Sequence, residues 1–180
     1  MFSIAIKRLW WILDDGNDDP EDWCLHGELS VRIGDKLIED CCTVNVTALY
    51  LLRTLTEDYI PSSRAYSQMM PCCGHFVIAN EEKESVEILG CDCGQEWSVR
   101  HVRQSVELMT EQGERTIVPF GEYRETVLVF ADQVMAHYLQ CRQKNLPDEE
   151  FERDGCLAFW REWARRRGIA PEETPIGRCL

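Results

Sequence analysis

The fold hinges on CLHGELSVRIGDKLIEDCCTV, residues 24–44. Leu25, Gly27, Leu29, Val31 and Ile33 fall on one side of an extended chain, and His26, Glu28, Ser30 and Arg32 on the other. Side chains that alternate with period two belong to a strand with one face in a core and the other toward water. Gly34-Asp35-Lys36 reads as a hairpin-like turn, and residues 37–44 as the antiparallel partner.

On the N-terminal side, residues 2–13 are rich in Ile, Leu and Trp and read as a first strand, joined to this hairpin by the acidic, turn-rich loop 14–22. Trp10 and Trp11 are adjacent, so one strand cannot bury both. On the C-terminal side, Asn45 or Thr47 is placed to cap a helix over 48–56 with Leu49, Leu52 and Leu55 as its stripe. Residues 61–71 are irregular. A second hairpin follows at 76–79 and 85–89, then strands at 97–102, 105–109 and 116–118. Phe120, Tyr123, Val127, Phe130, Ala131, Val134, Tyr138 and Cys141 recur at steps of three and four, the spacing of a long amphipathic helix. Pro147 and Asp148 open a last helix with Phe151, Cys156, Phe159, Trp160 and Trp163 as its stripe. Arg165, Arg166 and Arg167 fill its final turn and Gly168 suits the position after it.

Short turns between strands and helices segregated from them predict an α+β fold. The expectation is an antiparallel sheet of about 6–8 strands, with one central helix and two C-terminal amphipathic helices packed on it. Residues 1–168 are expected to form one domain, the default for a chain of 180 residues, and 169–180 a flexible C-terminal tail.

The net charge of −13 opposes the basic footprint that a nucleic-acid binder or a protein on an anionic membrane requires. It suits a basic protein partner. No apolar run approaches the ~20 residues of a membrane span or the ~7–15 of a secretory core, so a cytoplasmic chain is expected. In a reducing compartment the ten cysteines are thiols, core residues or metal ligands rather than disulfides. Cys24, Cys141 and Cys156 have apolar neighbours and read as small core hydrophobes.

The strongest local signal is Pro71-Cys72-Cys73-Gly74-His75 followed by Gly90-Cys91-Asp92-Cys93-Gly94, at the two ends of the second hairpin. If the hairpin pairs, its ends meet. Cys73, His75, Cys91 and Cys93, with Cys72 as a substitute for Cys73, then form a candidate zinc set. The spacing departs from the usual two residues between paired cysteines, and adjacent ligands strain a chelate. The alternative is that these thiols fill space beneath Phe76 and Trp97. Cys73 and His75 share a strand face and make a candidate nucleophile–base dyad, without an identifiable orienting group or oxyanion hole. No resident cofactor is expected, zinc being the exception. His26, His101 and His137 are scattered and read as satisfied residues. The acidic loop lacks the calcium-loop pattern and reads as solvated or partner-facing.

PCCGHFVIAN (71–80), ILGCDCGQEWSVRH (88–101), IVPFGEYRETVLVFADQVMAHY (117–138) and FERDGCLAFWREWARRR (151–167) resemble an uncharacterised family of small proteins from Gram-positive bacteria. The resemblance implies no activity. Some members lack a thiol at the place of Cys93, which argues against a four-thiol site as a family trait. Small acidic proteins of this style also resemble immunity proteins that neutralise toxins. The expected function is therefore a non-enzymatic protein-binding module, specifically a toxin-neutralising immunity protein. A zinc-stabilised domain and a thiol-dependent enzyme are the alternatives.

Overall fold

A computed structural model describes residues 1–13, 17–61, 68–72, 76–90 and 93–179. In chain order the elements are β1 (Phe2–Trp11), β2 (Leu25–Ile33), β3 (Lys36–Thr43), α1 (Val44–Arg53), β4 (Met70–Pro71), β5 (Phe76–Ala79), β6 (Val86–Leu89), β7 (Gly94–Gln95), β8 (Trp97–Val102), β9 (Ser105–Thr110), β10 (Arg115–Pro119), α2 (Phe120–Gln140) and α3 (Glu150–Arg167).

The alternating stretch forms β2 as expected. Leu25, Gly27, Leu29, Val31 and Ile33 are all buried, and β3 returns antiparallel with Val31 opposite Ile38. β1 completes this sheet on the other side of β2. Its pairing shifts register between Ile6 and Arg8, which changes the parity of the buried face. Phe2 and Trp11, an even and an odd position, therefore both reach the core. Trp10 is left half-buried with the Arg8 guanidinium over its ring at 5.5 Å.

The mixed α+β character stands, but one sheet of 6–8 strands does not form. Among the described residues the strands divide into two three-stranded sheets, β1-β2-β3 and β10-β9-β8, and two ribbons, β4-β7 and β5-β6. For the β5-β6 ribbon the reason is its packing against α3. The β5-β6 ribbon packs its face on α3 rather than its edge on a neighbouring strand, and Val86 and Ile88 are buried there. Gly155 makes this fit: a Cβ at that position would collide with the Val77 carbonyl oxygen.

α1 starts directly after β3, earlier than the expected cap sites. Thr43 is its N-cap with no side-chain cap bond, so Asn45 and Thr47 lie inside the first turns. Every residue from Val44 to Leu52 is buried, which makes α1 the central helix. α3 begins at Glu150 and ends in left-handed Gly168 at φ 77°. The segment expected as a loose tail carries short 3-10 turns at Pro171–Glu173 and Pro175–Arg178, with Thr174 and Ile176 buried. Among the described residues no helix is long and apolar enough to cross a membrane.

One buried ionic cluster ties α1, α3 and β6 together. Glu162, 1% exposed, accepts from Arg53 Nε at 2.9 Å and Nη2 at 2.7 Å, from Arg166 Nε at 2.7 Å and from the Val86 N–H at 3.0 Å. Arg53 also donates to the Val86 carbonyl at 2.6 Å. Burial alone would raise the Glu162 carboxyl pKa; the Arg53, Val86 and Arg166 donors reverse this and hold it below the ordinary value. A depressed carboxyl stabilises the fold above its unfolded pKa and ceases to as pH falls through the folded value. Glu162→Ala is expected to cost about 3–5 kcal/mol, because the half-buried Arg53 loses its carboxylate partner and the Val86 N–H its acceptor, while Arg166 is left with Glu57 as its counter-charge. Urea unfolding at neutral pH measures this, and the difference from the parent chain should shrink below about pH 4.

Candidate functional site

A groove of about 530 Å³ opens between the N-terminal half of α3, the start of β5 and the segment linking β1 to β2. Its floor is aromatic, formed by Trp23, Phe159 and Trp160. Trp160 meets Trp23 at 6.4 Å and Tyr138 edge-on at 4.9 Å between ring centroids, so the floor continues into the core. Ile12, Leu13, Phe76 and Phe151 stand at the mouth and are 48, 47, 68 and 55% exposed. Phe151, expected in the buried stripe of α3, projects instead into this opening. Glu21, Asp22 and Glu152 supply carboxylates, and Asn45 from the first turn of α1 lines the inner wall. The Asn45 Oδ1 is buried without a hydrogen-bond partner among the described residues, while its Nδ2 makes only a 3.5 Å contact with the Trp23 carbonyl.

The acidic lip is held by a clamp that sequence reading did not find. Lys144, in the α2–α3 connection, is 3% exposed. Its ammonium lies 3.5 Å from the Trp11 ring centroid and donates to Asp18 Oδ1 at 2.7 Å and to the Asp19 carbonyl at 2.8 Å. Asp18 Oδ2 accepts the Arg142 N–H at 2.6 Å. Asn145 donates from its N–H to the Pro20 carbonyl at 2.9 Å and from Nδ2 to Glu21 at 2.6 Å, and its carbonyl accepts the Trp23 indole N–H at 2.6 Å. Asp22 closes the wall by accepting from the N–H groups of Ile12, Leu13 and Cys24. The signal available beforehand was one lysine among nineteen basic residues, with nothing in its spacing to single it out.

Of the candidate zinc set, Cys73, His75 and Cys91 lie outside the described residues, and Cys93 is exposed. The hairpin ends do meet: Met70 and Pro71 pair with Gln95 and Gly94, and the Cys72 N–H donates to the Cys93 carbonyl at 3.1 Å. The Cys73–His75 dyad lies wholly outside the described residues. Burial raises the pKa of the Cys42, Cys141, Cys156 and Cys179 thiols, Cys42 to about 12, so these four are poor nucleophiles. Cys24 and Cys156, read as core residues, line the groove.

Among the described residues the histidines His26, His101 and His137 make separate contacts. His101 Nε2 donates to the Thr54 carbonyl at 2.9 Å. His26 sits between the Cys24 carbonyl at 3.2 Å and Thr43 Oγ1 at 3.4 Å. His137 stacks on Trp11 at 5.8 Å, behind the clamp. Burial is the largest cause lowering the pKa of both His26 and His137; Asp22 and Asp18 respectively oppose it, and Lys144 adds to it at His137. For Asp18, burial alone would raise the carboxyl, but the Lys144 and Arg142 donors hold it below its ordinary value.

Two outcomes are expected. Lys144→Met removes a buried ammonium that serves Asp18, the Asp19 carbonyl and Trp11, and should cost about 3 kcal/mol in urea unfolding. The two histidines bind protons more weakly folded than unfolded, so their contribution is complete above about pH 6.5 and is lost as pH falls through their folded values. The melting temperature should therefore drop between pH 7.5 and pH 5, and His137→Phe, which keeps the stacked ring, should reduce that drop.

Comparison of the chain with protein-family models, with curated proteins and with solved structures finds no match.

Proposed function

We propose that this chain is a non-enzymatic protein-binding module that engages a basic partner in the cytoplasm, and specifically an immunity protein that neutralises a toxin. The observation that supports the reading is the meeting of two acidic runs distant in sequence. The loop carrying Asp18, Asp19 and Glu21 is fastened to the α2–α3 connection, beside Asp148, Glu149, Glu150 and Glu152. Both runs reach the mouth of the apolar groove, through Glu21 and Glu152. Exposed carboxylates beside exposed aromatic and aliphatic side chains resemble the layout of a protein interface, an apolar centre with charge at its rim. The net charge of −13 adds long-range attraction for a basic surface and speeds encounter.

Co-expression of the chain with any toxin encoded by a neighbouring gene tests this. Growth should be protected, and the purified pair should form a complex whose Kd weakens about tenfold or more between low salt and ~0.5 M salt. Absence of both protection and a complex ends the toxin reading.

The meeting of the β4 and β7 ends at Cys72 and Cys93 supports zinc as a second reading. Metal analysis of tag-free protein decides it. A zinc content near zero per chain, with melting unchanged in chelator, rules it out.

A further inference from the structure

We infer that the groove seats a short segment of the partner that carries one large apolar side chain flanked by lysine or arginine. This rests on the protein-binding reading and names the chemistry that reading requires at one place.

The apolar half of the occupant follows from the mouth. Ile12, Leu13, Phe76 and Phe151 leave four large apolar side chains about half or more exposed around one opening, whereas single scattered ones are the rule on a monomer. The volume of about 530 Å³ lies within the ~300–1,000 Å³ of sites that enclose a ligand group. A large side chain resting on Trp23 and Trp160 would cover this surface.

The cationic half follows from the free carboxylates. Glu152 has no hydrogen bond or ion pair among the described residues. Glu21 has one oxygen taken by Asn145, which leaves the other. Asp22 is spent on three backbone N–H groups and shapes the wall instead.

The same charges exclude other occupants. A second copy would bring an identical acidic lip against this one, at −13 per chain, and an anionic lipid surface would be repelled.

The test uses three tryptophan-free peptides, so that Trp23 and Trp160 report binding by fluorescence and calorimetry confirms it. They are acetyl-Lys-Arg-Leu-Phe-Arg-Lys-amide, the same peptide with Glu and Asp in place of the basic residues, and the same peptide with Ser in place of Leu and Phe. The first should bind at least tenfold more tightly than either control. Phe151→Ser and Glu152→Lys, both at exposed positions and so harmless to folding, should each weaken it about tenfold. Equal binding of the three peptides, or binding indifferent to Phe151→Ser and Glu152→Lys, overturns the inference. A toxin that binds the Phe151→Ser and Glu152→Lys chains as tightly as the parent sinks the groove and leaves the protein-binding reading standing. Selective peptide binding without any complex with a basic protein does the reverse.

Discussion

The buried ammonium of Lys144 is the constraint on which the acidic end of the molecule depends. A lysine at 3% exposure is tolerated only where its charge is answered, and here an aromatic face, a carboxylate and a carbonyl answer it together. Three segments meet there: the end of β1 through Trp11, the acidic loop through Asp18 and Asp19, and the α2–α3 connection through Lys144. A loop of carboxylates would otherwise be driven outward by its own repulsion. The clamp converts it into a wall, and Trp23 and Asp22 are set by the same hydrogen bonds that hold the loop down.

The groove is then a consequence of three fitted surfaces. The loop gives one side, and α3 gives the opposite side. The start of β5 closes one end because Gly155 lets the ribbon lie directly on α3. The Glu162 cluster locks the far end of that helix to α1 and β6. These segments surround an opening with an apolar edge, beside which Glu21 and Glu152 stand. At its wall the Cys156 thiol is held in its protonated form by burial.

Much of the fold was legible because the signals were local. Alternation located β2 and β3, three-four spacing located α2 and α3, and turn residues located the ribbon at 76–89. The start of α1 was misplaced because Asn45 and Thr47 resemble caps, yet tertiary burial extended the helix past them to Val44. Phe151 shows a similar limit. Periodicity put it on the apolar face of α3, but the neighbour that would cover it is absent, so it became part of an opening. The sheet was overestimated because strand patterns do not say which strands share edges.

The sequence by itself determined the elements, the acidic balance and the identity of the core faces, since these depend on residues within a few positions of one another. Only the tertiary structure decided that Asp18 would meet Lys144 across 126 positions, that four apolar side chains would gather unburied at one mouth, and that the strands would divide among separate sheets. Those outcomes come from packing between distant segments, where shape and the burial of charge choose partners that no local spacing records.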